Sequence, residues 1–403
     1  MKILIASDSY IYQTNGVANV VIVLAAGLRG LGHEVKVLAP SDGRSSHREG
    51  DDYFIRSYPS FFYPDVRLCP ERHDLFLDEL KQWKPDLIHL HTEASIARFA
   101  RQIAAETHAP LIMTTHTDYA QFIFGRFQDA LFVRLIAKAY GKRQYRRAEA
   151  VVVPSEKARG FAMVQAAGSR LWVIPNGIRL ERFRRPVSAG EKAELFRKYG
   201  LEDNGCTLVM VTRVSKEKNI MEILRYFPAL VREVPEAQLL IAGDGPDRGR
   251  LEKYAAKADL LNHVHFLGRI PPDEVYRYYA MGNLFVSAST FETQGLTYLE
   301  ALACGLPMVC RDSPVLLNIL ENGVNGYTYQ SEREFVDGVA RILREKSLWR
   351  EMREKALEIS ARFGAGPFVE KMLSLYNQVL GNAGLQDRQP NQMSMNMKNE
   401  HEA

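Results

Sequence analysis

Short apolar runs of four to six residues recur along this chain, each followed by a segment whose apolar residues have helical spacing. In the first half, these runs occupy residues 2–6, 34–39, 87–90, 111–114 and 150–153. Continuous apolar runs are typical of parallel strands that helices cover on both faces, because such strands have no side that meets water. The first half therefore predicts a doubly wound α/β sheet.

The pattern is interrupted around residues 171–177, where Pro175 and Gly177 stand, and it then resumes. Further apolar runs predict strands at 207–211, 238–242, 264–267 and 284–287, again with helices between them. A break midway, followed by a second set of strands, favours two Rossmann-like α/β domains facing a cleft over one large sheet. We predict domains at 1–177 and 178–365, a final helix at 366–380 and a disordered tail at 381–403.

Composition narrows the classes of protein to consider. The chain has 403 residues, 46% hydrophobic and 25% charged, with a net charge of +4; this describes a soluble globular protein and implies no nucleic-acid partner. The four cysteines form no C-x-x-C pair, which fits reduced thiols better than disulfides or a metal site. No secretory signal is present, and the longest apolar run, 17–28, is too short to span a bilayer. We therefore expect a cytoplasmic protein, or one on the cytoplasmic face of a membrane.

Two carboxylates, Glu292 and Glu300, frame the start of a predicted helix. The strand before them places Glu292 on a loop at its carboxyl end, the edge where open α/β sheets bind ligands. The helix start, with the N–H groups of Gly295, Leu296 and Thr297, favours an anion such as a diphosphate. Carboxylates repel phosphate, so these two are suited to the hydroxyls of a sugar and a ribose. The alternative is a surface Glu292 and a solvated helix-face Glu300.

A basic loop follows the first strand of the second half. Arg213 and Lys218 lie five positions apart on it, so both can reach one diphosphate; a solvated basic loop is the alternative. Asp244 ends the next strand at the same edge, between glycines that allow close backbone approach. His116 follows the strand at 111–114 in the first half, either as a structural hydrogen-bonded residue or beneath a reacting sugar.

Together these residues match a family pattern. The set resembles the family 4 retaining glycosyltransferases of GT-B fold, over residues 2 to about 363. The resemblance implies two Rossmann-like domains, with the donor held mainly by the second and the last helix crossing back to the first. The matching positions are Asn15-Gly16, His116, Arg213 with Lys218, Gly243-Asp244-Gly245-Pro246, and Glu292 with Glu300.

The resemblance also implies roles at the donor's nucleotide end. Arg213 and Lys218 would neutralise the diphosphate, with the N–H of Gly16 assisting. The stretch near Gly268 and Arg269 would hold the base. No metal or other cofactor is implied, and the chain has no D-x-D motif.

At the sugar end, the resemblance implies that Glu292 holds the sugar hydroxyls, Glu300 the ribose, and that His116 contacts the donor sugar near its C6 hydroxyl. Breaking a glycosyl–phosphate bond builds positive charge on the sugar and negative charge on the leaving diphosphate. Fixed cations at the diphosphate and acceptor oxygens near the ring are therefore the useful protein groups.

Two segments of the first half concern the acceptor. An aromatic loop carries Phe61, Phe62 and Tyr63, which would form an exposed apolar patch unless folded under. The segment 125–150 combines basic and apolar helix faces, a pattern typical of a helix on an anionic membrane. The alternative is an apolar face docked on the domain's own core, with a solvated basic face. The basic residues are Arg134, Lys138, Lys142, Arg143, Arg146 and Arg147.

The amino-acid sequences of residues 292–300 and 63–67 are similar to those of bacterial diacylglycerol glucosyltransferases. This resemblance predicts transfer of a hexose such as glucose from a UDP-sugar to a membrane lipid such as 1,2-diacylglycerol. The product would be an α-glycolipid, and the protein would sit peripherally on the inner face of the cell membrane. Two alternatives remain open: a glycosyltransferase with a soluble sugar or polysaccharide acceptor, and a nucleotide-sugar 2-epimerase.

Overall fold

The chain folds into two compact units, which join after Gly177. Unit 1 comprises Met1–Gly177 and the C-terminal segment from Ala365, and unit 2 comprises Ile178–Gly364. The join coincides with the Pro175 and Gly177 interruption in the sequence pattern. The computed structural model describes residues 1–13, 15–43, 45–60, 67–71, 73–116, 135–136, 139, 141, 143–145, 148–165 and 170–386.

Unit 1 is built on an eight-stranded sheet in the order β10-β9-β8-β7-β1-β2-β4-β3, parallel except for β3. A separate antiparallel pair, β5 with β6, flanks residues 61–66. The strands are β1 (Lys2–Ala6), β2 (Glu34–Pro40), β3 (His47–Glu49), β4 (Asp52–Ile55), β5 (Tyr58–Pro59), β6 (Arg67–Leu68), β7 (Leu87–Leu90), β8 (Leu111–Thr114), β9 (Ala150–Val153) and β10 (Arg170–Val173), and the helices are α1 (Gly16–Gly30), α2 (Leu75–Trp83), α3 (Ser95–Thr107) and α4 (Glu156–Gln165).

Unit 2 is built on a six-stranded parallel sheet in the order β13-β12-β11-β14-β15-β16. The chain steps outward from β11 to β13, returns to β14 beside β11, and then steps the other way. The boundary between β11 and β14 is therefore the topological switch point. The strands are β11 (Thr207–Val211), β12 (Gln238–Ala242), β13 (Val264–Gly268), β14 (Leu284–Ser287), β15 (Met308–Arg311) and β16 (Gly326–Tyr329), and the helices are α5 (Leu180–Phe183), α6 (Ala189–Lys198), α7 (Ile220–Glu233), α8 (Arg248–Lys257), α9 (Val275–Met281), α10 (Leu296–Ala303), α11 (Glu332–Arg344) and α12 (Lys346–Ser360).

Alternate residues of β11, β12, β14 and β15 in unit 2 face two different apolar cores. Leu208 and Met210 of β11 pack in one core, whereas Val209 packs in the other. Both faces of the sheet are therefore dry, which explains why the strands read as continuous apolar runs rather than as an alternating pattern. The fold class predicted from the sequence is confirmed.

The final helix, α13 (Ala365–Gln386), belongs to unit 1, where it packs against α1. It is longer than the predicted 366–380, and the prediction of disorder is wrong for residues 381–386, which are helical. The prediction ended the helix at 380 because the sequence beyond it is rich in Asn, Gln and Met and has no apolar periodicity. The rest of the predicted tail lies outside the described residues. None of the helices in the described part of the chain is long and apolar enough to cross a bilayer.

Seven strands of the structure are absent from the predicted set: β3, β4, β5, β6, β10, β15 and β16. β10 (Arg170–Val173) falls within the stretch that the sequence presents as a break, and its residues are only partly buried or exposed. β16 (Gly326–Tyr329) is a four-residue edge strand containing a glycine and a threonine, so it lacks the apolar run of a central strand. Short edge strands are the elements that local patterning identifies least well.

Contact between α1 and α13 depends on Gly27. A Cβ added there would lie 2.4 Å from Cγ2 of Val369. We predict that Gly27→Ala lowers the free energy of unfolding by roughly 1–3 kcal/mol through overpacking, and that adding Val369→Ala costs less than the two single changes summed. Urea unfolding measures both. Gly30→Ala is the matched control, because nothing lies within 4 Å of a Cβ there, and equal effects at both glycines would contradict the packing role.

Candidate active site

An ion pair stands at the switch point of unit 2. The Nζ atom of Lys218, on the loop after β11, lies 2.6 Å from Oε1 of Glu292, on the loop after β14. The side chains retain 21% and 14% of their accessible surface, so a ligand at this edge can reach both. The structure therefore brings together the cation expected at the diphosphate and the acid expected at the sugar.

The loop that carries Arg213 is fastened to the loop after β12. The N–H of Val214 donates to the carbonyl of Asp244 at 3.0 Å, and the N–H of Asp247 donates back to the carbonyl of Val214 at 3.1 Å. Gly245 permits this approach, since a Cβ there would lie 2.2 Å from the Val214 carbonyl oxygen. Two rigid backbone contacts thus hold the exposed Arg213 at the carboxyl edge of β11.

The loop after β13 joins the same assembly. The N–H of Gly243 donates to the carbonyl of Gly268 at 2.8 Å, which brings the predicted base-binding stretch beside the loop of Asp244. Arg269 and Asp244 are both exposed at this edge. Four adjacent strand ends, those of β13, β12, β11 and β14, therefore carry the residues of unit 2 that the sequence assigned to the donor.

Gly295 shapes the start of α10. Its φ of 76° lies in the left-handed region, and an added Cβ would come within 2.5 Å of the Tyr298 ring. Only glycine meets both requirements without strain. The N-cap residue Gly295 has no side chain to cap α10, and the amide groups of Leu296 and Thr297 at its first turn carry the positive end of the helix dipole.

Glu300 accepts a hydrogen bond from a buried tyrosine. The hydroxyl of Tyr279 donates to Oε2 of Glu300 at 2.8 Å, and it also contacts the carbonyl of Thr297 at 3.3 Å. Burial raises the pKa of Glu300, with the Tyr279 hydrogen bond acting in the opposite direction. The second carboxyl oxygen has no hydrogen bond to a described residue and can accept one from a ligand hydroxyl.

In unit 1, Gly16 is the exposed first residue of α1. Asn15 caps this helix: its side-chain oxygen accepts from the N–H of Ala18 at 2.9 Å, and its amide group donates to Ser9 at 3.2 Å. The cap fixes the loop after β1, which explains why an Asn-Gly pair stands there.

His116 follows β8 and lies beside His91, which follows β7. The Nδ1 of His91 and the Nε2 of His116 are 3.1 Å apart, and the two rings stack with centroids 5.4 Å apart. One layer deeper, His89 forms hydrogen bonds with the hydroxyls of Tyr376 on α13 and Thr114, at 2.6 and 2.7 Å. His116 is therefore the outermost member of a three-histidine cluster.

All three histidines are neutral at ordinary pH. Burial lowers the pKa of His89 to about 3 and that of His116 to about 4, and it lowers the pKa of His91 well below the usual value. A neutral imidazole offers one donor and one acceptor, so hydrogen-bonding partners decide which nitrogen carries the proton.

Sequence reasoning missed His89, His91, Tyr279 and Asp8. His89 lies in β7 and His91 directly follows it, and their spacing of two, which places both on one face of an extended segment, was the available signal. Asp8 lies on the loop after β1, and its buried carboxylate accepts hydrogen bonds from Thr92, Ser95 and the N–H of Ile96, so it caps α3 from that loop. Neither Tyr279 nor Asp8 had a local signal, because their partners are distant in sequence.

The predicted acceptor residues lie largely outside the described part of the chain. These are Phe61, Phe62, Tyr63, Arg134, Lys138, Lys142, Arg146 and Arg147. Of the described neighbours, Arg143 is exposed, and Leu135 and Ile136 retain 57% and 51% of their accessible surface. Within the described ranges, no group of three or more His, Cys, Asp or Glu side chains could hold a metal ion.

Comparison with known proteins places the chain in a family. Two family models match it: Glycosyl transferases group 1 over residues 191–359, and Glycosyltransferase Family 4 over residues 14–182. The alpha-monoglucosyldiacylglycerol synthase of Streptococcus pneumoniae is 33% identical over 366 residues, covering 90% of this chain and 83% of the relative. The synthase of that name from Acholeplasma laidlawii is 30% identical over 354 residues, covering 85% and 88%.

A solved structure agrees on the fold. Anabaena HepE in complex with UDP and glucose matches with a TM-score of 0.71 and 18% identity, over 94% of this chain and 100% of that one. Both proteins have the GT-B fold, which is built on two Rossmann-like sheets. The chain belongs to the family 4 glycosyltransferases, and it is similar over most of its length to enzymes named as glycolipid synthases.

The histidine cluster predicts acid sensitivity. Because folding lowers the pKa values of His89 and His116 from about 6.5 to about 3 and 4, the unfolded chain binds more protons between those limits. The free energy of unfolding should therefore fall as pH drops from 6.5 towards 4, by on the order of 1 kcal/mol per histidine per pH unit. Urea unfolding of the wild type and of His89→Asn across this range measures the effect.

The His89→Asn variant should be less stable at pH 7.5 but should lose less stability on acidification. His108→Asn is the control, since His108 is exposed and occupies a left-handed position that asparagine tolerates. Parallel pH curves for the wild type and His89→Asn would contradict the prediction.

Proposed function

We propose that this protein transfers glucose from UDP-glucose to a membrane lipid such as 1,2-diacylglycerol. One observation carries the donor side: Lys218 and Glu292, a cation suited to a diphosphate and an acid suited to sugar hydroxyls, meet at the switch point of unit 2. The two relatives named as alpha-monoglucosyldiacylglycerol synthases support the acceptor side. An alpha-linked product made from an alpha-linked donor such as UDP-glucose requires retention at the anomeric carbon.

The donor roles follow from charge. Arg213 and Lys218 stabilise the leaving diphosphate, together with the amide groups at the start of α10 and the N–H of Gly16. With this charge supplied by the chain, turnover needs neither a metal ion nor another cofactor. Gly268 and Arg269 hold the base, and Asp244 lies on the adjoining loop.

The sugar end is assigned to hydrogen-bonding groups. Glu292 accepts from the sugar hydroxyls, and Glu300, supported by Tyr279, accepts from the ribose. His116 contacts the donor sugar near its C6 hydroxyl. Burial lowers the pKa of His116 to about 4, and a neutral His116 can donate to or accept from a hydroxyl without adding charge near a cationic transition state.

The acceptor is proposed to be reached at the inner face of the cell membrane, where the protein binds peripherally. The exposed residues Leu135, Ile136 and Arg143 of one segment support this, since apolar groups combined with cations suit an anionic lipid surface. The other basic residues of 125–150 and the aromatic residues 61–63 would extend that surface.

The identity of the reaction product tests the proposed function. The protein is incubated with UDP-glucose or GDP-mannose and with diacylglycerol in anionic or zwitterionic vesicles, with and without a chelator. We expect a lipid-extractable product one hexose heavier than the acceptor, from UDP-glucose, retained in chelator and formed faster on anionic vesicles. A product found only in water would replace the lipid acceptor with a soluble one, and an isomerised donor without transfer would indicate an epimerase.

Substitutions of Glu292 and of Glu300 should have different effects on turnover and on UDP binding. Glu292→Gln should lower kcat by on the order of 10²–10³-fold while UDP affinity stays near the wild-type value or rises, because Lys218 remains available to the diphosphate. Glu300→Gln should mainly weaken UDP binding, by roughly tenfold or more. Steady-state kinetics and calorimetric UDP titration separate these effects. Glu351→Gln, at an exposed position of the same unit, is the control, and equal losses of UDP affinity at both site acids would reject the division of roles.

A further inference from the structure

The ring of His91 is buried and makes no polar contact with any described residue other than His116, while its backbone N–H donates to the carbonyl of Ala6 at 2.8 Å. The residue is fully buried immediately after β7, and its ring lies between those of His89 and His116, with centroids 4.1 and 5.4 Å away. Its Nδ1 meets the Nε2 of His116 at 3.1 Å, whereas its own Nε2 is buried and has no hydrogen-bond partner among the described residues. This asymmetry limits where the protons of both rings can lie.

Two arrangements of the shared hydrogen bond exist. If His116 donates from Nε2, then His91 must carry its own proton on Nε2, where a buried N–H is left without an acceptor. If His91 donates from Nδ1, its Nε2 is a bare lone pair instead. Buried N–H groups are rarely left unpaired, whereas an unused acceptor is better tolerated, so the second arrangement is favoured.

We propose that His91 is a positioning residue for glycosyl transfer: its Nδ1–H donates to Nε2 of His116, so that His116 presents Nδ1–H to a hydroxyl of the donor sugar. This rests on the proposed function, in which His116 touches the sugar. His91 itself touches no substrate. The Nδ1 atom of His116 has no described protein partner, which leaves it available to a ligand.

The contact with His91 fixes both the plane of the His116 ring and the nitrogen that carries its proton. A histidine that follows a strand can rotate about its side-chain bonds and exchange its proton between two nitrogens. Stacking against His91 restrains the rotation, and the hydrogen bond assigns the proton. The low pKa values of His91 and His116 keep both rings neutral, so a second proton does not compete.

Two substitutions at His91 separate the hydrogen bond from the packing. His91→Phe keeps an aromatic ring in the stack but has no donor, whereas His91→Asn loses the ring and places an amide N–H near the Nδ1 position. We expect kcat/KM for UDP-glucose to fall by up to about 100-fold in His91→Phe and to recover substantially in His91→Asn, with UDP affinity unchanged in both. Because UDP binding is assigned to unit 2 and His91 lies in unit 1, circular dichroism and thermal unfolding compared with the wild type check that the variants are folded.

Nitrogen-15 spectra of histidine-labelled wild-type protein give a readout that a purely structural role would not produce. We expect His116, assigned from the spectrum of His116→Ala, to be protonated on Nδ1 and bare on Nε2. Protonation on Nε2, or equal rates in the two His91 variants, would overturn the positioning role. A wild-type rate in His116→Ala would instead remove the sugar contact of the proposed function, and the positioning role with it.

Discussion

In a parallel sheet every strand ends at the same edge, and the candidate site of this protein depends on that constraint. The residues assigned to the donor come from loops far apart in sequence, after β11, β12, β13 and β14. Their strands are neighbours, so the loops converge without any long insertion. The reversal of strand order at β11 and β14 leaves room between two of these loops. Lys218 and Glu292 occupy that position.

The two units handle polar groups at their strand ends in different ways. In unit 2, the paired charges of Lys218 and Glu292 remain partly exposed, so neither bears the full cost of desolvation. In unit 1, His89 and His91 are fully buried, and burial lowers their pKa values until they are neutral. A neutral buried network can hold a fixed geometry without a counter-ion, provided that its members satisfy one another.

Much of this arrangement could be predicted from the sequence. Apolar runs identified the central strands, and the carboxyl-edge rule then placed Arg213, Lys218, Glu292 and Glu300 at one edge. What the sequence could not supply was contact between distant residues, such as the hydroxyl of Tyr279 beneath Glu300. The edge strand β10 was missed because its residues are exposed or only partly buried, and the last turns of α13 because their sequence has no apolar periodicity.

The contact between Lys218 and Glu292 also means that their roles are not independent. Each side chain is the other's partner, so removing one leaves the remaining charge partly buried and unpaired. A single substitution therefore reports the lost ligand contact together with the change in its neighbour, and only a double-mutant cycle separates the two. The loss of activity or affinity measured for a substitution at either position will therefore include the effect on the other residue.

Under the proposed function, the same ion pair bears on how the site distinguishes a nucleotide-sugar from a free nucleotide. A diphosphate that attracts Lys218 draws it from Glu292, which then lacks a counter-charge. UDP-glucose brings sugar hydroxyls that can donate to the released carboxylate, whereas UDP alone brings none. Breaking the Lys218–Glu292 ion pair therefore cancels part of the favourable binding free energy of the sugar hydroxyls. The complete donor satisfies both residues, and the leaving nucleotide satisfies only one, which favours its release after transfer.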